Sequence, residues 1–219
     1  MLDFNGEEKQ KDRPRGPVPA GSAVLTRLEL LTPNYPSEKN PLVAKTKSGL
    51  YQLHCKFTVI SGLYNGSYWI ESITLPQSMQ RSNLPANMQT AARIGGSQIR
   101  AIIEASRQID PDATDERSVN ARRIERLEDL SGMRVPVKVG ISDRPVEKDG
   151  RIYWNNKLSS VIPATDETYN QIMMGGEIIT DGPIEGKSSG NFARSSSGGY
   201  AQGYADDYGR SSDPDDMPF

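Results

Sequence analysis

The sequence predicts a mainly β domain, five antiparallel strands with a helical insertion between the third and fourth, followed by a disordered tail. Three observations carry this. From Leu50 to Ser61, Tyr51, Leu53, Cys55, Phe57 and Val59 alternate with Gln52, His54, Lys56 and Thr58, the period-2 pattern of a strand with one face in a core and one in water. From Met88 to Ile109 the apolar residues recur at helical spacing. From Gly186 to Asp213 the chain is dominated by Ser, Gly and Tyr, a composition that cannot bury enough apolar surface to order itself.

Taken in order, residues 1–20 are charged and Pro-rich (Pro14, Pro17, Pro19) and read as a flexible N-terminal arm or an edge-hugging segment. The first strand is Gly21 to Leu31, with Ala23, Leu25, Arg27, Glu29 and Leu31 on one face and Val24, Thr26, Leu28 and Leu30 on the other; Pro33-Asn34-Tyr35-Pro36 ends it. A polar loop with Lys39, Lys45 and Lys47 leads to the Leu50–Ser61 strand. Asn65-Gly66 is a two-residue hairpin signal, and Ser67 to Leu75 returns as the third strand.

The helix that follows ends at Asp110-Pro111, with Gly95-Gly96 weakening its middle. A second helical stretch is expected over Ser118 to Leu130, on the spacing of Ala121, Ile124, Leu127 and Leu130, closing at Gly132. Val135, Val137, Val139 and Ile141 then point inward, against Arg134, Pro136 and Lys138. After Asp149-Gly150 a last strand runs from Arg151 to Ile162, with Ile152, Trp154, Asn156 and Leu158 on one face and Arg151, Tyr153, Asn155 and Lys157 on the other. Residues 165–185 leave two options open, a short helix packed on the barrel or an oligomer contact.

Three strands, a helical connection and two more strands is the element order of an oligonucleotide-binding (OB) fold, a five-stranded Greek-key barrel, here over residues 21–164. Only 35% of the 219 residues are hydrophobic, which suits one modest core plus unpacked chain. The single Cys55 excludes a disulfide framework and a cysteine zinc site. No N-terminal apolar run reads as a signal peptide, so the expected compartment is the cytoplasm. Charge is split: from Thr165 onward there are three bases and ten acids, a net of −7 within a total of −2, which leaves +5 on the rest. A basic body with an acidic tail suits a polyanion-binding domain.

Single strands of nucleic acid are held by cations that follow phosphates and by flat rings that stack on bases. Two clusters combine them: His54 and Lys56 with Tyr64, Tyr68 and Trp69, and Arg151 with Tyr153 and Lys157, beside Arg134 and Lys138. Trp69 and Trp154 share parity with core residues, so each is either core or base-stacking, and Tyr68 and Tyr153 are the better platforms. Catalytic patterns are weak. His54, the one histidine, points away from Cys55 on a strand. Gly182 to Ser188 has the wrong spacing for a phosphate loop. Asp110, Asp112, Asp115 and Glu116 are the carboxylates a metal-dependent nuclease would need, and read better as a solvated acidic turn. No enzyme activity and no cofactor are expected.

The chain ends Asp213-Pro214-Asp215-Asp216-Met217-Pro218-Phe219 after its linker at 186–212. A terminal ring flanked by carboxylates is suited to capture by a basic-rimmed pocket on another protein. This tip resembles that of bacterial and bacteriophage single-stranded DNA-binding proteins, with Met217 where an aliphatic residue usually stands. The long helical insert and the Arg151-Ile152-Tyr153-Trp154 strand bring it nearer the phage and mobile-element type than the standard bacterial one. The resemblance implies coating of single-stranded DNA during replication, recombination or repair, and recruitment of enzymes through Asp213, Asp215, Asp216, Met217, Pro218 and Phe219. An OB-fold adaptor that binds only protein is the other open reading.

Overall fold

The computed structural model describes residues 16–38, 40–76, 85–143, 146–148 and 151–181. The elements are β1 (Ala23–Leu31), β2 (Pro36–Ser37), β3 (Asn40–Lys45), β4 (Tyr51–Val59), β5 (Tyr68–Thr74), α1 (Ala86–Arg107), α2 (Glu116–Ala121), a 3-10 turn at Leu127–Leu130, β6 (Arg134–Ile141), β7 (Val146–Lys148), β8 (Arg151–Tyr153), β9 (Asn156–Val161) and α3 (Tyr169–Met173). Seven strands form one antiparallel sheet in the order β2-β3-β4-β1-β6-β9, with β5 on the other side of β4; β7 and β8 form a separate hairpin. The sheet curls into a half-barrel. Its far edges approach each other where the Leu158 N–H donates to the Glu71 carboxylate, linking β9 to β5.

The alternation in the sequence sets the layers. Val24 and Leu28 of β1, Leu53, Phe57 and Val59 of β4 and Val135, Val137 and Val139 of β6 are fully buried on the concave side. Each such side chain contributes about 1.5–3 kcal/mol relative to exposure. Helix α1 closes this core against β5, β6 and β9, burying Ala92, Ile102, Ile103 and Ala105. Gly95-Gly96 does not interrupt it, and α1 runs unbroken for 22 residues. A Cβ at Gly95 would stand 1.8 Å from the Thr74 carbonyl oxygen, so the glycine lets helix and strand end touch.

Several expectations are corrected. The loop after β1 contains the β2–β3 hairpin, because Val43 and Ala44 are buried and pair with Leu53 and Gln52. Asn65-Gly66 is the end of a wider loop rather than a two-residue turn. Gly66 N donates to Val59 O and Val59 N to Ser67 O, while Tyr64 turns inward and Glu177 accepts from the Leu63 N–H. The second helix is only α2 and the 3-10 turn. Arg107 donates to the carbonyls of Ala121 and Arg123, and Asp129 accepts from the amides of Glu125 and Arg126, so these backbone groups are diverted from a helix ladder.

The strand expected from Arg151 to Ile162 divides into β8 and β9, with Trp154 and Asn155 between them. The Asn156 side chain meets Val18 through both its N–H and its carbonyl, pinning the N-terminal segment to the sheet. Val18 is fully buried, so the end of the expected flexible arm belongs to the fold, while residues 1–15 lie outside the described residues. Pro136, expected outward as a surface residue, is buried. Of the two options for 165–185, the short helix is the one seen through residue 181: α3 packs on β1 and β6, and Tyr169 donates its hydroxyl proton to Ala105 O. No described helix is long and apolar enough to cross a membrane.

Candidate nucleic-acid interface

The register of the sheet lays the convex residues of β6, β1, β4 and β5 in transverse rows. Arg134 lies opposite Arg27, Arg27 opposite Thr58, and Thr58 opposite Tyr68. In the next row Glu29 faces Lys56 and Lys56 faces Ile70; in the third, Leu31 faces His54 and His54 faces Ser72. Tyr68 is 61% exposed and Ile70 51%, large apolar groups on an open strand surface. The Lys56 ammonium sits 5.2 Å from the Tyr68 ring centroid and 3.1 Å from Glu29 Oε2. An ammonium over a ring is held by the ring quadrupole, and the carboxylate on its other side fixes it there.

This face brings His54, Lys56 and Tyr68 together as expected from the alternation of β4 and its pairing with β5. Trp69, read as either core or base-stacking, takes the core alternative, and its place with Tyr64 among the DNA-binding residues is corrected. Trp69 is 4% exposed and stacks on Phe57 at 5.7 Å between centroids, and Tyr64 is 7% exposed, so neither ring offers a face at the surface. Arg134 belongs with the first cluster rather than the second, through its pairing with Arg27, and it donates to Met173 O at 2.9 Å. Lys138, four residues further along β6, is exposed and near Asp166. Lys157 lays its stem across Gly140 and pairs with Asp143 at 3.0 Å. Arg151 and Tyr153 lie on β8, opposite Lys148 and Val146, with their side chains outside the description. The tip residues Asp213, Asp215, Asp216, Met217, Pro218 and Phe219, and the linker before them, lie outside the described residues.

Burial holds the His54 imidazole below its ordinary pKa, so it faces the surface as a neutral ring at pH 7. Behind it, the Cys55 thiol points inward and is pushed up to about 12 by burial and by the nearby Glu71. His54 and a protonated Cys55 therefore stand on opposite sides of β4. Burial also raises the Glu71 carboxyl, with the Leu158 N–H and the Lys157 charge acting in the other direction. The acidic residues after α1 are tied into local structure. Asp110 accepts from the Asp112 N–H and Asp115 caps α2 at the Ser118 N–H. Arg122 joins that loop to the buried Glu104 at 2.6 Å. No group of three His, Cys, Asp or Glu among the described residues is arranged to hold a metal ion.

The residue that sequence reasoning passed over is Arg27. Its outward parity on β1 was legible, but its neighbour Arg134 is 107 positions away and only the β1–β6 register joins them. Comparison with protein-family models, with curated proteins and with solved structures gave no significant match to this chain.

Proposed function

We propose that this chain binds single-stranded DNA with little sequence preference on the convex face of β1, β4 and β5, and that its acidic tip recruits other proteins. The single observation that carries the reading is Lys56 poised over the exposed Tyr68 ring beside exposed Ile70. A cation and an open ring on adjacent strands supply a phosphate contact and a stacking surface of about 1–3 kcal/mol per base, the combination single-strand binding needs. Strands β1, β4, β5, β6 and β9 are read as the five strands of an OB fold, α1 as its helix between the third and fourth, and the β2–β3 and β7–β8 hairpins as the loops that flank a binding face in such barrels.

Titration of the whole chain with a fluorescent oligo-dT at two salt concentrations tests this. Binding that weakens steeply with salt is expected, and absent or salt-indifferent binding overturns it. Deleting Asp213 to Phe219 should preserve or tighten DNA binding, because it removes negative charge; a loss of affinity counts against the role given to the tip.

A further inference from the structure

Arg27 and Arg134 are directly opposite each other across β1 and β6, both exposed on the convex face. Like charges at such a position destabilise a sheet, since their Cβ atoms lie only about 4.5–5.5 Å apart. Among the described residues no carboxylate forms an ion pair with either. Glu29, the acid two residues along β1 on the same face, is engaged with Lys56. Arg134 is held in place by one bond to Met173 O, which leaves the rest of its fork of N–H donors uncommitted among the described residues. The next opposed pair on this face, Leu25 and Pro136, is buried, so Arg27 and Arg134 stand at the border between buried and exposed positions, and the row they head continues through Thr58 to Tyr68.

We infer that Arg27 and Arg134 form a phosphodiester clamp, and that a bound single strand crosses the sheet along this row, its backbone on the two arginines and a base on Tyr68. An anion between the guanidiniums cancels their repulsion, and planar guanidinium forks match phosphate oxygens in a bidentate manner. The inference rests on the single-strand reading above and adds to it the path and a residue, Arg27, outside the Lys56–Tyr68 cluster. Phosphate contacts position a strand without reading it, so DNA and RNA should meet the clamp alike.

The test measures affinity for (dT)12 and (rU)12 across a salt series with the whole chain and its R27Q/R134Q and R27K/R134K variants. Each lost phosphate contact on a single strand removes about 0.7 from the slope of log affinity against log salt, so R27Q/R134Q should lower it by roughly 1.4 for both oligonucleotides. R27K/R134K should keep the slope. A wild-type slope retained in R27Q/R134Q overturns the clamp while leaving single-strand binding intact, whereas a wild-type chain without salt-dependent binding removes the reading beneath it. Should the glutamine variant misfold, phenylglyoxal modification of the unaltered chain decides instead. (dT)12 is expected to slow modification of Arg27 and Arg134 together, and unchanged rates at both overturn the clamp.

Discussion

The convex face of β1 is two surfaces on one strand. Ala23 and Leu25, with Pro136 opposite Leu25 on β6, are buried, whereas Arg27 and Glu29, of the same parity and two to four residues beyond Leu25, are exposed. Burial along the strand changes at that point from continuous to alternating. The covered half is apolar and the open half is charged and aromatic, running through Lys56 to Tyr68 and Ile70. Strand parity assigns a side chain to a face, while what packs against that face decides whether it is core or surface.

Helix α3 packs on β1 and β6. Ile172 of α3 is fully buried, so Ile172→Ala should cost about 2–5 kcal/mol in chemical denaturation. A loss below about 0.5 kcal/mol would mean that α3 adds little to the packing of β1 and β6. On the open half the consequence reverses. Tyr68→Ala should leave unfolding within about 0.5 kcal/mol of the parent, as a surface change does. It should weaken oligo-dT binding by about 1–3 kcal/mol, with Tyr68→Phe restoring most of it. A stability loss comparable to that of Ile172→Ala would show that the open half is structural.

Glu29→Gln sharpens the electrostatics of the open half. Removing the carboxylate that engages Lys56 should tighten oligo-dT binding by about 0.2–1 kcal/mol, with little change in stability because the ion pair is partly exposed. Weaker binding would mean that Glu29 holds Lys56 in a pose DNA requires. At the seam between β5 and β9, the folded state raises the Glu71 pKa. Its contribution is therefore full below the ordinary glutamate range near 4.5 and lost as pH rises through the folded value. Glu71→Gln, which keeps an acceptor for Leu158 N–H, should raise thermal stability at pH 7 relative to the parent and do so less at pH 4. A gap independent of pH would exclude titration of Glu71 as its source.

The smallest effect is expected at His54. Because its pKa lies below the ordinary value, it is uncharged at pH 7.5, and His54→Gln should leave the salt dependence of oligo-dT binding unchanged there. A reduced slope would assign it a phosphate contact.

Much of the half-barrel was legible because local periodicity reports local direction. The alternation of β1, β4 and β6 and the helical spacing of α1 each place residues relative to their own element, and the structure keeps those placements for Val24, Phe57, Val137 and Ile102. Lys56 and Tyr68 were readable as neighbours because a short connection makes β4 and β5 an antiparallel pair. Trp69 and Tyr64 were not readable as a site. A ring at a strand or loop position becomes a platform or a core filler according to what meets it, and here Trp69 meets Phe57. The second helix failed because Arg107 reaches the Ala121 and Arg123 carbonyls from α1, a contact that no local spacing announces, and Asp129 holds the Glu125 and Arg126 amides as a cap.

The sequence by itself determined the strand parities, the helix, the basic body and the acidic tail, because each depends on residue type and spacing within a short window. The tertiary structure alone decided that β3 extends the sheet at β4, that Asn156 pins Val18, that α3 packs on β1 and β6, and that Arg27 meets Arg134. Those contacts join residues distant in the chain. They are set by where curled strands and packed helices converge, which no local pattern encodes.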